Sequence, residues 1–206
     1  MTLLEAIADW ANVQKGYNKA RKCKRERKDV LIFTKDKEGN LCNVSDDIYY
    51  LTYEPSEYHY FKVFEPKERQ IMALPFYDRV VQHAINNVLE PIFDKRFISQ
   101  SYACRKGKGM HAASDTLQGW LYEWQKFHPD EPLYAIKADI HHYFQSIDHG
   151  ILKAEIRKVI KDAGVLALLD KIIDHNGNMP EGVGIPVGNL TSQLFANIYL
   201  DKLDKY

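Results

Sequence analysis

The sequence predicts an α+β protein that is mostly helical, with a β-hairpin and a short sheet. Apolar residues recur with helical spacing in residues 78–91 and 190–203, and each stretch predicts an amphipathic helix. Two aromatic and apolar runs, residues 58–64 and 69–74, flank turn residues, which is typical of a hairpin. Residues 133–139 form an apolar run broken only by a lysine, which predicts a buried strand.

The N-terminal part is expected to be a helical arm. Residues 3–28 are predicted to be helical, because their apolar positions keep helical spacing and no proline interrupts them. A short strand at residues 30–33 and a turn at residues 37–40 are expected to follow. The apolar positions that support the helix are Leu4, Ile7, Ala8 and Ala11.

This arm carries a block of positive charge, although the whole chain has a net charge of zero. Between Lys15 and Lys28 there are eight lysines or arginines and one acid, Glu26. Such a block can bind an anionic partner such as RNA, or it can be the solvated face of a helix. The sequence leaves both interpretations open.

The middle of the chain predicts two helices joined by a cationic loop. The helix that begins at residue 78 is expected to end at Pro91. In the loop at residues 101–109, glycines alternate with Arg105, Lys106 and Lys108, so its backbone can approach an anion or form a flexible surface loop. Apolar residues of the next helix share one face, which is expected to bury its tryptophans, Trp120 and Trp124, in the core.

The C-terminal part predicts a helical pair followed by a glycine-rich loop and a last helix. Apolar stripes at residues 152–163 and 165–174 are separated by Gly164. The loop at residues 181–189 opens the last helix, and Asn189 or Thr191 is expected to cap that helix.

Cysteine use and hydropathy indicate a soluble protein in a reducing compartment. Cys23, Cys42 and Cys104 are scattered without the spacing of a zinc site or a disulfide framework. No apolar run approaches the roughly 18 residues of a membrane span, and the N-terminus lacks the pattern of a leader. We expect a cytoplasmic protein without a membrane partner.

The carboxylate of Asp139 stands at the end of the predicted buried strand. Burying a carboxylate without a partner costs roughly several kcal/mol. A basic side chain, a set of N–H donors or a metal ion therefore has to meet it. The alternative is a strand end at which the aspartate caps a turn.

Several motifs occur in one line along the chain. A basic hairpin is followed by an Asp-Arg-Val-Val-Gln helix start at residues 78–82 and by the loop at residues 101–109. A strand ending Ala-Asp-Ile at residue 140 and Gly-Ile-Pro-Val-Gly-Asn-Leu-Thr-Ser-Gln at residues 184–193 come next. Over residues 61–206 this order resembles the fingers and the first half of the palm of a reverse transcriptase.

Within that family, the chain is most similar to the reverse transcriptases of diversity-generating retroelements. Their loop has an aliphatic residue before the second glycine and their helix opens with Ser-Gln, as in Val187, Gly188, Ser192 and Gln193 here. Retroviral and group II intron enzymes usually have Gln-Gly and Ser-Pro at these places. A group II intron-type or an antiphage reverse transcriptase is the alternative.

The resemblance implies an α+β right-hand polymerase, with fingers and a truncated palm, that copies an RNA template into DNA. Residues 1–57 would form the basic arm and linker, residues 58–132 the fingers and residues 133–206 a partial palm. The implied partners are an RNA template, a DNA or RNA primer, deoxynucleoside triphosphates and a small basic accessory protein. A non-catalytic RNA-binding module or a helical scaffold protein are alternatives from other classes.

The resemblance also gives roles to residues of the palm. Asp139 would hold both divalent ions of a two-metal site, and the carbonyl of Ile140 would complete one coordination shell; the ion implied is Mg²⁺, with Mn²⁺ as the alternative. Phe144 would be a steric gate whose ring excludes a 2′ hydroxyl. The adjacent His141 and His142 suggest zinc instead, but no cysteine or second carboxylate follows at ligand spacing.

Basic residues of the fingers would contact the substrates. Lys67 and Arg69 match the hairpin cations that clamp the triphosphate, and exposed surface charges are the alternative. Arg105 and Lys108 fall in a segment that lines the template and nucleotide side of the fingers.

Two residues of the glycine loop and the last helix would lie near the bases. By the same resemblance, Gly188 would let the backbone approach the new base pair. Gln193 would lie near the templating base.

The family's second catalytic element, a Tyr-x-Asp-Asp hairpin, does not occur in these 206 residues. A single carboxylate cannot position two metal ions, so we expect an incomplete polymerase that is inactive alone. A palm strand without neighbours would leave an open edge, which predicts poor solubility or self-association.

Overall fold

The computed structural model describes residues 1–64 and 68–206, and for Arg69 only the backbone. Two strands, β1 (His59–Val63) and β2 (Arg69–Ala73), pair antiparallel as the predicted hairpin, with Tyr60 opposite Met72. The helices of the described residues are α1 (Leu3–Ala8), α2 (Trp10–Ala20), α3 (Lys28–Lys35), α4 (Lys37–Tyr49), α5 (Phe76–Asp94), α6 (Met110–Phe127), α7 (His149–Val159), α8 (Ala163–Asp174) and α9 (Leu190–Asp204).

Helix α5 is the centre of the core. It packs against α1, α2, α3 and α4 and also against α9, while α7 lies between α8 and α9. The predicted end of α5 at Pro91 is wrong, because the helix continues to Asp94. Phe93 beyond the proline is 3% exposed, and its burial offsets the hydrogen bond that a proline removes. The apolar stripe predicted for α5 is buried at Val80, Val81, Ala84, Ile85 and Leu89.

The predictions for the N-terminal arm are wrong in three places. The helix predicted to reach residue 28 ends at Ala20, and residues 21–27 are not helical. The expected single helix is divided after Ala8, where the Asp9 carboxylate accepts hydrogen bonds from the N–H groups of Ala11 and Asn12 and caps α2. The expected strand at residues 30–33 is helix α3, and the expected turn at residues 37–40 begins α4. Short apolar runs fit both periods, and in α3 the helix is favoured because it buries Val30 and Phe33 on one side.

The strand predicted at residues 133–139 is also wrong. These residues belong to no helix or strand of the structure, and all of them are exposed. Neither strand of the described hairpin pairs with them, and an isolated strand leaves its own backbone groups without partners.

Helix α6 lies apart from the core. The expectation that its tryptophans are buried is wrong, because Trp120 is 50% and Trp124 37% exposed and no residue of α6 is buried. None of the helices in the described part of the chain is long and apolar enough to cross a membrane.

The crossing of α2 and α5 yields a stability prediction. A Cβ atom on Gly16 would lie 3.0 Å from the amide nitrogen of Ala84 and 3.1 Å from the carbonyl oxygen of Val80. Because these are backbone atoms, Gly16→Ala should force the helices apart and lower the free energy of unfolding by about 1–3 kcal/mol. Urea denaturation would measure the change.

Gly119→Ala in α6 is the matched control, since a Cβ atom there meets nothing within 4 Å. It should leave the free energy of unfolding unchanged or raise it by less than about 1 kcal/mol. Equal effects of the two substitutions would contradict the close crossing of α2 and α5.

Candidate functional site

The glycine-rich loop before α9 docks on the hairpin. The backbone N–H of Met72 donates a hydrogen bond of 3.1 Å to the carbonyl of Val187. The next residue, Gly188, has φ +121°, and a Cβ atom there would lie 2.9 Å from the carbonyl oxygen of Met72. Glycine is required at this position both for its backbone conformation and for the close approach to β2.

Buried polar side chains fix the start of α9 against the hairpin. Asn189 occupies the N-cap position of α9 as expected, but its side chain forms no capping hydrogen bond. Instead the side-chain oxygen of Gln82 in α5 accepts a hydrogen bond of 3.0 Å from the N–H of Leu190. Asn189 donates to the hydroxyl oxygen of Tyr58, at 2.9 Å.

Tyr58 connects the hairpin to the end of α8. Its hydroxyl donates to the carbonyl of His175, at 2.9 Å, and its ring stacks on the His175 imidazole with centroids 4.8 Å apart. Burial raises the pKa of Tyr58, so its hydroxyl stays protonated. These hydrogen bonds and the ring stacking therefore hold the hairpin, α8 and α9 together and restrict the side-chain rotamers of Tyr58 and Asn189.

A cavity of about 670 Å³ opens between the hairpin and residues 142–145 and 178–187. A short 3₁₀ turn, Tyr143–Ser146, forms one wall and follows His142, whose φ is +50°. The N–H of Ile185 donates to the carbonyl of Phe144, at 2.9 Å, which places Phe144 on this wall. The lining residues are Glu68, Gln70, Met72, His142, Tyr143, Phe144, Gln145, Asn178, Met179, Ile185 and Val187.

The residues predicted to bind metal and triphosphate lie elsewhere or outside the described residues. Asp139 and Ile140 are exposed in the segment without secondary structure and do not line the cavity. Lys67 lies outside the described residues, and Arg69 is described only as the first residue of β2. Their roles stay predictions.

Arg105 has a full set of partners within its own loop. Its guanidinium donates to the Asp94 carboxylate at 2.7 Å and to the carbonyls of Ile98 and Ser101 at 2.7 and 2.8 Å. Only 9% of its side chain is exposed. Arg105 therefore holds the loop in shape, and a contact with template or nucleotide would require it to exchange these partners.

The other two predicted contacts are more accessible. The Lys108 ammonium donates to the carbonyl of Ser99, at 2.6 Å, and lies 4.8 Å from the centroid of the Tyr102 ring. Gln193 is exposed at the start of α9, beside a small cleft that Arg105 also lines.

Sequence reasoning missed the buried polar residues of α5. The carboxylate of Asp78 is fully buried and accepts hydrogen bonds from the Tyr53 hydroxyl, at 2.8 Å, and from the N–H of Ser56, at 2.9 Å. Burial, followed by the nearby Asp78 charge, raises the pKa of Tyr53. The signal was present, because Asp78 and Gln82 interrupt the apolar stripe of α5 on its buried side.

The described residues do not by themselves fit a two-metal site. No three acidic, histidine or cysteine side chains of the described chain come together as possible ligands. His141 and His142 contact each other, with ring centroids 3.9 Å apart, but have no third ligand in that part of the chain. Asp139 is thus a single, exposed carboxylate.

Comparison with known proteins shows which proteins are similar to this chain in sequence. No family model matches the chain. It is 31% identical to Protein YkfC of Escherichia coli K12 over 135 residues, 63% of this chain and 34% of YkfC. It is 28% identical to the group II intron-encoded protein LtrA of Lactococcus lactis subsp. cremoris over 170 residues, 80% of this chain and 27% of LtrA.

A yeast protein and a solved structure give the same relationship. The putative COX1/OXI3 intron 2 protein of Saccharomyces cerevisiae is 30% identical over 135 residues, 63% of this chain and 15% of that protein. A chain of a partial Cas6-RT-Cas1–Cas2 complex shares the fold, with a TM-score of 0.60 and 21% identity over 100% of this chain and 35% of that chain. The matched part spans about a third or less of these relatives.

These similarities define an α+β fold of polymerase fingers with part of a palm. Its named sequence relatives include group II intron-encoded proteins. The resemblance to a reverse transcriptase that the motifs predict is confirmed by these relatives, whereas the diversity-generating subgroup stays a prediction.

The glycine turn yields a second prediction. Gly188→Ala should lower the free energy of unfolding by about 1–3 kcal/mol and detach the turn from β2, because the new methyl group meets the Met72 carbonyl. Amide hydrogen exchange at Met72 should become faster.

Gly109→Ala is the control, since Gly109 has a similar positive φ, +115°, but its Cβ atom would meet nothing within 4 Å. It should reproduce the backbone strain without the faster exchange at Met72. Faster exchange in both variants would show that strain alone accounts for the effect.

Proposed function

We propose that this chain supplies the fingers and the first part of the palm of a polymerase that copies RNA into DNA, and that the cavity beside β2 receives the incoming deoxynucleotide. The observation that supports this proposal is that Phe144 and Val187 line one cavity together with Gln70 and Met72 of the hairpin. These residues come from the three motifs that resemble the family. The predicted boundaries, fingers at residues 58–132 and palm from residue 133, are part of this proposal.

The lining suits a nucleotide chemically. Met72, Phe144 and Ile185 supply apolar surface for a sugar and a base, and the amides of Gln70 and Gln145 supply hydrogen-bonding groups. The Phe144 ring would leave no room for a 2′ hydroxyl and would select deoxynucleotides by clash. Glu68, Gln70 and Met72 line the cavity at alternate positions, so one face of the hairpin forms a wall of the proposed nucleotide site. Contacts of Lys67 and Arg69 with the triphosphate stay part of the proposal by resemblance alone.

Metal binding is the incomplete part of this proposal. In a two-metal polymerase, magnesium stabilises the attacking and leaving oxygens, and Asp139 would supply one carboxylate with the Ile140 carbonyl beside it. One exposed carboxylate cannot fix two ions, and the described residues hold no cluster of three ligands. We therefore propose that the chain alone does not extend a primer.

A nucleotide-binding experiment tests the proposed cavity. The chain should bind deoxynucleoside triphosphates more tightly than ribonucleoside triphosphates in displacement of a fluorescent deoxynucleotide. Phe144→Val should reduce that preference by about tenfold, because removing the ring admits the 2′ hydroxyl.

Tyr122→Val is the control, because Tyr122 is an exposed aromatic residue of α6 outside the cavity. It should leave the preference unchanged. The proposal fails if the unmodified chain binds both nucleotides equally, or if the preference survives the loss of the Phe144 ring.

The basic arm favours binding of template RNA as a second function of the same chain. Residues 22–27, in the turns after α2, line an open concavity of about 670 Å³. Burial, with Arg79 and Arg27 nearby, lowers the pKa of Lys24. Burial lowers the pKa of His83 to about 4, and the positive charges of Lys19, Lys24 and Arg79 act in the same direction.

Burial is the largest cause of both pKa shifts, and the neighbouring positive charges, which a polyanion would neutralise, add to it. Asp29 pairs with Arg79 and neutralises part of the cluster. We propose that phosphates of the RNA backbone bind at this concavity, which requires no base-specific contact.

Salt dependence tests the proposed RNA contact. Combined replacement of Lys22, Lys24 and Arg25 by alanine should weaken binding of single-stranded RNA. It should lower the slope of log affinity against log salt by about two, because three phosphate contacts are lost. The control replaces Lys126, Lys158 and Lys161, exposed lysines outside the arm, and should change neither quantity.

Asp139→Asn should leave this binding intact, since Asp139 is not part of the arm. Equal losses in the arm and control variants would indicate a general charge effect and would contradict a site in the arm.

The subgroup of reverse transcriptases to which the chain is most similar is also a proposal. The Val187–Gly188 and Ser192–Gln193 pairs favour a diversity-generating retroelement enzyme with a small basic accessory protein. The similarity to LtrA favours a group II intron type. A template and variable repeat pair beside the gene would support the first, and an intron around the gene the second.

A further inference from the structure

A buried histidine lies behind the cavity wall that contains Phe144. His149 is the first residue of α7 and does not line the cavity, and only 3% of it is exposed. Its Nε2 lies 2.7 Å from the carbonyl oxygen of Gly184, and its Nδ1 lies 3.3 Å from an oxygen of the Asp174 carboxylate. A buried ring with a polar neighbour at each nitrogen is held in one orientation.

The two neighbours of the ring differ in what they fix. A carbonyl oxygen can only accept a hydrogen bond, so Nε2 carries a proton and donates to Gly184. The Asp174 carboxylate, at the end of α8, also accepts from the Lys153 ammonium, at 2.6 and 2.7 Å. Asp174 is half exposed, whereas the bond to Gly184 is buried. The bond to Gly184 is therefore the one that the interior of the protein depends on.

A single peptide unit connects this bond to the cavity wall. The carbonyl of Gly184 and the N–H of Ile185 belong to the same planar peptide, in which they point in opposite directions. The carbonyl accepts from the His149 ring, and the N–H donates to the carbonyl of Phe144, at 2.9 Å. The orientation that the histidine gives to this peptide therefore determines where the bond to Phe144 is made.

Backbone hydrogen bonds place the loop beside the histidine but do not orient this peptide. The N–H of His149 donates to the carbonyl of Gly182, at 2.9 Å, and the N–H of Gly184 donates to the carbonyl of Ile147, at 2.7 Å. Both bonds use the peptides that precede the one between residues 184 and 185. Without the ring, the buried carbonyl of Gly184 would lose this partner, and an unpaired buried carbonyl favours rotation of its peptide.

We propose that His149 is a positioning residue for the cavity: through the peptide between Gly184 and Ile185 it fixes the turn that carries Phe144, and so maintains the selection of deoxynucleotides. This inference rests on the proposed function of the cavity. His149 does not contact the nucleotide itself, because its ring lies behind the lining residues.

Two amide substitutions test the donor. A glutamine side chain is long enough to bring its amide N–H near the position of Nε2, whereas an asparagine side chain reaches only the position of Nδ1. Exchange of the Ile185 amide hydrogen should become about tenfold faster in His149→Asn, because the peptide loses its buried donor. It should stay within about twofold of the unmodified chain in His149→Gln, which keeps the donor.

Displacement of the fluorescent deoxynucleotide then measures the effect on selection. His149→Asn should reduce the preference for deoxynucleotides by about threefold, less than the loss of the Phe144 ring, because the ring is displaced and not removed. His149→Gln should retain the preference. Gly16→Ala is the control for lowered stability, since it acts at the crossing of α2 and α5, and it should leave the preference unchanged.

Nuclear magnetic resonance of the ring nitrogens tests the hydrogen bond in the unmodified chain, independently of how the variants fold. The nitrogen chemical shifts should show a proton on Nε2. A ring protonated on Nδ1 alone overturns the proposal. Equal Ile185 exchange in the two amide variants, or an unchanged nucleotide preference in His149→Asn, also overturns it.

This proposal and the proposed function fail in different ways. If the unmodified chain binds deoxynucleotides and ribonucleotides equally, the function of the cavity is refuted. If that preference is present but survives in His149→Asn, the cavity stands and the positioning role of His149 is refuted.

Discussion

The contact between the glycine turn and β2 is the constraint on which the candidate site depends. Gly188 approaches the Met72 carbonyl so closely that no side chain fits between them, and the adjacent Val187 carbonyl accepts the Met72 N–H. This contact fixes one edge of the hairpin at the mouth of the cavity. Without it, the hairpin would be held through Tyr58 and the packing of Met72, and its edge at the cavity would not be fixed.

Buried polar groups of α5 extend this constraint into the core. Gln82 holds the first turn of α9, while Asp78 holds the segment before the hairpin through Tyr53 and Ser56. One helix therefore positions both sides of the cavity. Replacing a hydrogen-bond donor of a buried carboxylate leaves that carboxylate with neither water nor a protein partner. The donors of Asp78 should therefore tolerate little change.

The sequence predicts those helices and strands in which the period of the apolar residues is unambiguous. The hairpin, α5 and α9 are long or strongly alternating, and the sequence predicts each of them. Helix α3 was mistaken for a strand because a short apolar run fits either period. The burial of Gln82 against α9 could not be predicted, because it joins residues far apart in the sequence.

The apolar run at residues 133–139 predicted a strand, but a strand forms only when its backbone pairs with another strand. Their β propensity is real, yet the described hairpin offers them no edge and the segment stays exposed. The same reasoning applies to the tryptophans of α6, whose apolar face was expected to be buried. Amphipathic pattern predicts that a surface needs a partner, and it does not say whether the partner is present.

Arg105 illustrates a different difficulty. A cation in a glycine-containing loop suggested an anionic ligand, but its guanidinium donates to one carboxylate and three carbonyls nearby. A planar group with five donors can organise a loop as effectively as it can hold a phosphate. The residue type alone does not distinguish an arginine that organises a loop from one that binds phosphate. The number of carbonyl oxygens within hydrogen-bonding distance does.

The state of Asp139 follows from these points. A metal site requires carboxylates held at fixed separation, and a strand fixes its side chains only when its backbone is paired. Residues 133–139 pair with no strand of the described residues, so Asp139 is a single exposed carboxylate. Metal binding at Asp139 would therefore require another strand that pairs with this segment and fixes the side chain.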